Sequence, residues 1–403
     1  MTSEPRSPTL MATYAPAPVR FVSGRGTELF DDDGRRYLDF IAGIAVVSLG
    51  HCNERVTGAI AQQAARLMHV SNLFHNELNE RLACALDRLV GDGSAAGGQV
   101  FFSNSGAEAN ECAIKLARRA GGPGRYVVIS AMGSFHGRTL ATLAATGQPS
   151  KHEAFRPLPE GFRSVPYGDL GALEEAVAPA SVAAVLLEAI EGEAGVIVPP
   201  AGYLTAVRRL CDERGILLML DEIQTGLGRT GRWFAFQHEA IAPDVVTVAK
   251  SLGNGMPIGA CWARRDVAAA FVAGDHGSTF GGQPLACAAG IATLAELEAI
   301  DGPGLAERTG AYLQRRLAAL EGVACVRGRG LLLAAVLEPG LDATEATRSA
   351  LGLGLVVNAP VPGVLRLAPP LTVSIAEVDQ AVGMLGVALE SVRSAQTAGG
   401  GRW

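Results

Sequence analysis

The sequence has no pair of cysteines at metal-binding or redox spacing. Its 7 cysteines, Cys52, Cys84, Cys112, Cys211, Cys261, Cys287 and Cys325, are scattered and never form a Cys-x-x-Cys motif. That pattern excludes a disulfide framework or zinc ribbon and reads as buried free thiols in a reducing compartment. Aromatic residues are few, at 5%, as are charged residues, at 18%. No block of like charge occurs: 34 Lys and Arg against 40 Asp and Glu give a formal net charge of -6, with both signs spread along the chain. A nucleic-acid surface needs concentrated positive charge, so no nucleic-acid partner is expected. No stretch approaches the ~18 apolar residues of a membrane span. The opening Met1-Thr-Ser-Glu-Pro-Arg-Ser-Pro lacks an apolar signal core. A cytoplasmic protein with no membrane contact is expected. The 7 histidines show no ligand spacing, so no catalytic metal is expected.

What is present is a core-forming composition, with 48% apolar residues in 403. That length implies a large domain and a smaller one. Short apolar runs at 99–103, 126–130, 183–188, 215–220, 244–249 and 258–263 read as strands, with helical patterns such as 106–120 and 202–214 between them. Strand–helix alternation of this kind predicts an α/β fold: a large domain with a mostly parallel sheet flanked by helices. After it come a helical stretch at 304–321 and several short apolar runs, which predict a smaller α+β domain. Asp31-Asp-Asp-Gly34 predicts a hairpin turn. The expected divisions are a flexible arm (1–12), an N-terminal segment joining the small domain (13–55), the large domain (56–290), the C-terminal small domain (291–395) and a disordered tail (396–403).

Two apolar runs each end in a charge: Gly215-Ile-Leu-Leu-Met-Leu-Asp221 and Asp244-Val-Val-Thr-Val-Ala-Lys250. The C-terminal edge of a parallel sheet is where ligands bind. Pyridoxal phosphate requires a lysine amine for covalent attachment and a carboxylate to keep its ring nitrogen protonated. Gln224, close behind Asp221, can donate to a ring hydroxyl. Read as structure alone, Asp221 is a helix N-cap and Lys250 a surface lysine with a buried stem. Ser103-Asn-Ser-Gly-Ala-Glu-Ala-Asn110 opens a helix after a strand. Ser105 and Glu108 have capping-box spacing, and the small residues leave backbone N–H groups free for a phosphate. An ordinary cap accounts for the same letters. In Gly133-Ser-Phe-His-Gly-Arg138, Phe135 or His136 can stack on a flat ring and Arg138 can grip a carboxylate. A hydrogen-bonded core histidine is the alternative for His136.

Two motifs point elsewhere and are set aside. Gly226-Leu-Gly-Arg-Thr-Gly231 matches a dinucleotide fingerprint in letters, but it starts past the strand end and no clear helix opens on it. Lys250-Ser251 lacks the preceding glycines of a P-loop.

Taken together, Phe101-Phe-Ser-Asn-Ser-Gly-Ala-Glu-Ala-Asn-Glu, Ser134-Phe-His-Gly-Arg-Thr, Leu220-Asp-Glu-Ile-Gln-Thr-Gly, Ala249-Lys-Ser-Leu-Gly-Asn-Gly-Met-Pro-Ile, His276-Gly-Ser-Thr-Phe-Gly-Gly-Gln and Arg366-Leu-Ala-Pro-Pro-Leu resemble the class III, fold-type I pyridoxal-phosphate aminotransferases. The resemblance runs from about Tyr14 to about Val387 and implies fold type I, pyridoxal 5'-phosphate as cofactor, small-molecule substrates and a homodimer with shared active sites. It implies Lys250 as the covalent anchor and proton shuttle, Asp221 at the ring nitrogen and Gln224 at the ring hydroxyl. Ser105, Gly106 and Ala107 would hold the phosphate, completed by Thr279 of the other subunit. Phe135 and His136 would contact the ring. Arg138, Glu193, Arg366 and Ser278 would meet substrate, with Arg366 taking a carboxylate of glutamate or 2-oxoglutarate and Glu193 masking it when the amine is not on the α-carbon. The spelling is most like the branch that transfers the side-chain amine of N-acetylornithine to 2-oxoglutarate in arginine biosynthesis. Succinylornithine, ornithine, 4-aminobutyrate and a carrier-linked lysine-pathway semialdehyde are the neighbouring substrates, and an aminomutase is the neighbouring reaction. One segment departs. Where the family usually reads Glu-Pro-Ile-Gln-Gly-Glu, this chain has Glu188-Ala-Ile-Glu-Gly-Glu193. The extra carboxylate of Glu191 either changes the charge near the substrate or turns outward.

Overall fold

The computed structural model describes residues 9–15 and 17–399. Most of the expected arm, residues 1–8, and the end of the expected tail, residues 400–403, lie outside the described residues. The tail was expected from 396, but the last helix, Ile375–Gly399, continues through that point.

Near the N-terminus, β1 (Phe21–Arg25), β2 (Glu28–Asp31) and β3 (Arg36–Asp39) form an antiparallel sheet. The turn expected at Asp31–Gly34 joins β2 to β3, with Gly34 N donating to Asp31 O at 3.0 Å and Gly34 at φ 78°. The central sheet contains β4 (Gly98–Ser103), β5 (Val127–Ala131), β6 (Phe162–Val165), β7 (Val182–Glu188), β8 (Leu217–Asp221), β9 (Val245–Val248) and β10 (Gly259–Arg264). Their spatial order is β4-β10-β9-β8-β7-β5-β6. Every pairing is parallel except those of β10, which runs against both β4 and β9. All seven residues of β7 are buried, as expected for a strand covered by helices on both faces. Towards the C-terminus β11 (Val323–Arg329), β12 (Leu332–Leu337), β14 (Asn358–Val361) and β15 (Val364–Leu367) make an antiparallel sheet, while β13 (Leu355–Val356) pairs with β3 and so ties the two ends of the chain together.

The expected strands and helices are present with shifted ends, and local chemistry explains the shifts. β8 starts at Leu217 because Gly215 adopts φ 60° to close the preceding helix, Tyr203–Arg214. The helix expected at 304–321 spans Gly302–Ala318, started early by the Asp301 side-chain cap and by Pro303 in the first turn.

The Gly226–Gly231 segment is a joint rather than a nucleotide loop. Arg229, fully buried, donates from Nη1 to Leu331 O at 3.2 Å and to Pro369 O, and from Nη2 to Ser48 Oγ at 2.9 Å. Burial without a carboxylate pushes its guanidinium down to about 9, still protonated at neutral pH. Arg229→Ala strands these acceptors in the interior. The expected loss is about 2–4 kcal/mol, read as a lower urea midpoint. An unchanged midpoint would show the joint to be dispensable.

Candidate active site

Strand direction brings the chemistry to one edge. β4, β5, β7, β8 and β9 all point the same way, so the loops after them meet at their C-terminal ends. Glu188 closes β7 opposite Asp221 of β8, which lies opposite Thr247 of β9. These loops enclose a cavity of about 410 Å³. Ser105, Gly106 and Ala107 line one part of it, Phe135, His136 and Arg138 another, and Glu193, Asp221, Gln224 and Lys250 the rest.

Asp221 is 3% exposed and held on both oxygens. Oδ2 accepts from Asn110 Nδ2 at 2.7 Å and meets His136 Nδ1 at 2.8 Å, while Oδ1 accepts from Ile223 N at 3.1 Å. The turn-capping role and the inward-facing role therefore coexist. Asn110 also donates to His136 O at 2.8 Å and accepts from Thr247 Oγ1 at 2.7 Å.

Lys250 follows β9 but is not its last residue. The strand ends at Val248 and Lys250 opens a short 3-10 turn, Lys250–Leu252, at φ 40°. A left-handed backbone on a long side chain is strained, and such residues cluster at functional sites. Burial pulls its ammonium below the usual value, against the opposing pull of Glu193; Arg366 lowers it further. It forms no hydrogen bond or ion pair that would occupy the amine among the described residues.

The helix Gly106–Gly121 begins at the cavity. Ser105 Oγ accepts from Glu108 N at 3.2 Å, which is the expected cap. A Cβ on Gly106 would come 2.7 Å from Ile223, and one on Gly137 2.8 Å from Ala107, so bare backbone is required around this helix head. Phe135 N donates to Glu188 Oε1 at 2.8 Å, and Arg138 lies 5.9 Å from the Phe135 ring centre.

Arg366 sits behind the cavity wall, fully buried on β15. Its Nη1 contacts Glu193 Oε1 at 2.6 Å and donates to Gln224 Oε1 at 3.1 Å. Burial acts to raise Glu193, but the Arg366 charge and hydrogen bond outweigh it and hold the carboxyl below its usual range. The pair thus persists above that range and opens only as acid protonates Glu193.

Two expected residues stand elsewhere. Ser278 and Thr279 line a separate surface cleft of about 800 Å³ with Asn72, Phe101 and His276. Ser278 touches the cavity indirectly, accepting from Asn104 Nδ2 at 3.3 Å. Sequence reasoning gave no role to Glu188 or Asn110. Asn110 had a signal, a polar residue one helical turn after Gly106 on the face that Ala109 and Ala113 also bury. No group of His, Cys, Asp or Glu suited to a metal occurs among the described residues.

A family model for aminotransferase class-III matches residues 10–389. The acetylornithine aminotransferase of Caldanaerobacter subterraneus subsp. tengcongensis is 46% identical, over 95% of this chain and 98% of the relative. The ornithine aminotransferase of Toxoplasma gondii, whose structure has partial occupancy of PLP at the active site, superposes with a TM-score of 0.91 at 34% identity, covering 96% and 94% of the two chains. The N-acetylornithine aminotransferase of Stenotrophomonas maltophilia K279a gives 0.82 at 36% identity, covering 94% and 98%.

Asn110→Ala removes the donor that fixes Asp221 and the acceptor of Thr247. A loss of about 2–3 kcal/mol in urea unfolding is expected. A midpoint equal to the wild type would mean that His136 and Ile223 suffice to hold the carboxylate.

Proposed function

The chain belongs to the class-III aminotransferases, which use pyridoxal 5'-phosphate, and on that premise we propose that it transfers the side-chain amine of N2-acetyl-L-ornithine to 2-oxoglutarate, giving N-acetyl-L-glutamate 5-semialdehyde and L-glutamate in arginine biosynthesis. The names of its relatives support the substrate. The observation that carries the reading is the Glu193–Arg366 pair at 2.6 Å. A donor whose amine is remote from its α-carboxylate has no carboxylate beside the reacting carbon, so a buried arginine there needs an internal partner. Glutamate does bring a carboxylate to that place and displaces Glu193 from Arg366.

The residues fit the cofactor. Lys250 supplies the unpartnered amine for covalent attachment, Asp221 the fixed carboxylate for the ring nitrogen, and Gln224 a side-chain amide for the ring hydroxyl. The head of helix Gly106–Gly121, with Ser105, Gly106 and Ala107, supplies the phosphate seat. Phe135 covers the ring, and His136 and Asn110 both hold Asp221 at Oδ2. When bound, pyridoxal phosphate serves as an electron sink that makes the C–H beside the reacting nitrogen acidic. Lys250 Nζ then takes and returns that proton, a task for which a depressed ammonium pKa suits it. Arg138 binds the α-carboxylate of acetylornithine or the distal carboxylate of glutamate.

The assembly is a cytoplasmic homodimer with shared sites. Thr279 lies outside its own chain's cavity, in a cleft with exposed Leu73 and next to exposed Phe280, and completes the phosphate seat of the other subunit. Ser278 reaches substrate from the same strip. No helix among the described residues is long and apolar enough to cross a membrane.

The test follows each half-reaction by the absorbance of the bound cofactor. Arg366→Ala should lower kcat/KM for glutamate by about 100-fold, the loss of one buried charge pair, and leave acetylornithine within a few fold. Equal losses on both sides would refute the assigned role. Glu193→Ala should raise reactivity towards glutamate relative to acetylornithine; an unchanged ratio would refute the masking. Lys250→Ala should abolish turnover. A wild type bleached mainly by ornithine or 4-aminobutyrate would move the substrate and keep the chemistry.

A further inference from the structure

Glu191, one of the two residues that depart from the family spelling (the other is Ala189), does not turn outward. It is 2% exposed, and its Oε1 has no hydrogen-bond partner. Its backbone is fixed by reciprocal bonds with Ile197, N to O at 3.0 Å and O from N at 2.9 Å, which hold the residue at this inward-facing position. It packs on Gly133, where a Cβ would lie 2.9 Å from Glu191 Oε2 and 3.2 Å from Ala194 Cβ. Gly133 opens the segment that carries Phe135 over the cavity. The same two segments are joined by Glu188, whose Oε1 accepts from Phe135 N at 2.8 Å and Oε2 from Gly192 N at 3.0 Å. Two carboxyls are thus buried at one joint. Glu188 has N–H donors on both oxygens, which offset part of the burial and Asp221 charge that push it up to about 7, whereas Glu191 has no such donor among the described residues.

We propose that Glu191 is a positioning residue that works as the neutral acid, keeping the Gly133–Phe135 segment seated on the Glu188–Glu193 turn, and that loss of its proton loosens this seat and lowers activity.

The ionisable groups facing it are Glu188 on its own turn, Tyr167 after β6 and Tyr203 at the head of helix Tyr203–Arg214. No ion pair reaches it among the described residues. Burial first, and the Glu188 charge second, push its carboxyl from 4.5 up to about 9. Tyr167 Oη is already committed, donating to Glu188 O at 2.9 Å and Ala189 O at 3.0 Å, so ionised Glu191 would gain no donor from it. Negative charge at Glu191 would repel Glu188, whose hydrogen bond fixes Phe135.

The test compares wild type with Glu191→Gln, which keeps shape and neutrality but cannot ionise. This proposal rests on the aminotransferase reading only for the rate measurement. The alkaline limb of the wild-type rate should fall about tenfold per pH unit above the Glu191 pKa, and the variant should retain its rate further into alkali. The stability sign follows from a carboxyl raised in the fold: its contribution is complete below 4.5 and is lost as pH rises through about 9. The unfolding midpoint of the variant should therefore gain on the wild type between those values and run parallel above them. Infrared spectra at pH 8 should show a protonated-carboxyl band in the wild type that the variant lacks. Superimposable pH profiles, a constant midpoint difference, or identical infrared spectra would overturn the proposal. The unfolding and infrared measurements need no turnover, so a failed substrate assignment leaves them decisive, and Glu191→Met, equally unable to ionise, supplies both comparisons if Glu191→Gln does not fold.

Discussion

The structure of the site depends on holding one buried carboxylate still. Asp221 ends a strand in the middle of the sheet, where water cannot solvate it. It is stabilised by Asn110, His136 and the Ile223 amide, each supplied by a different segment. Those partners fix the rest. Asn110 orients the helix Gly106–Gly121, whose head lines the cavity. His136 pins the segment carrying Phe135 and Arg138. The amide of Ile223 fixes the turn that presents Gln224. Cations balance the acids locally: Lys250 lies in the field of Glu193, Asp221 and Glu188, and Arg366 is neutralised by Glu193 at contact distance. In a low-dielectric pocket such pairings decide which groups keep their charge.

The fold class was legible because buried parallel strands are apolar runs beside which a charge stands out, as with Asp221 at the end of β8 and Lys250 two residues past β9. The direction of β10 was not, since the apolar pattern of Gly259–Arg264 is the same whichever way the strand runs. The helix Pro284–Ala299 escaped notice because it is apolar on nearly every side, so it has no stripe for periodicity to detect. β6, Phe162–Val165, was missed because a four-residue edge strand with an arginine and a serine gives little alternation.

The site residues divide in the same way. Local letters identified the cap at Ser105, the strand-end Asp221 and the lysine. Arg366 and Glu193 were legible only through resemblance, because their meeting joins a strand of the C-terminal sheet to the turn after β7. The direction of Glu191 was open, since alternate residues of a tight turn face opposite ways and only the bridge to Ile197 sets which. The ordinary and functional readings of Ser105 and Asp221 turned out compatible: each side chain satisfies a backbone amide with one atom while facing the cavity.

The reversed strand has a consequence for the order in which the molecule is made. β4 lies at one end of the central sheet and its hydrogen-bonded neighbour is β10, so Phe101 pairs with Cys261. A ribosome releases β4 and the helix after it long before residues 259–264 exist. Until then β4 presents an open edge to every other chain in the cell, a condition that invites chaperones or misassembly. Ser105, which lines the cavity, is also backed by Gly259, where a Cβ would fall 2.3 Å from the Ser105 carbonyl. The cavity edge beside Ser105 is therefore complete only late in biogenesis, once β10 has been made.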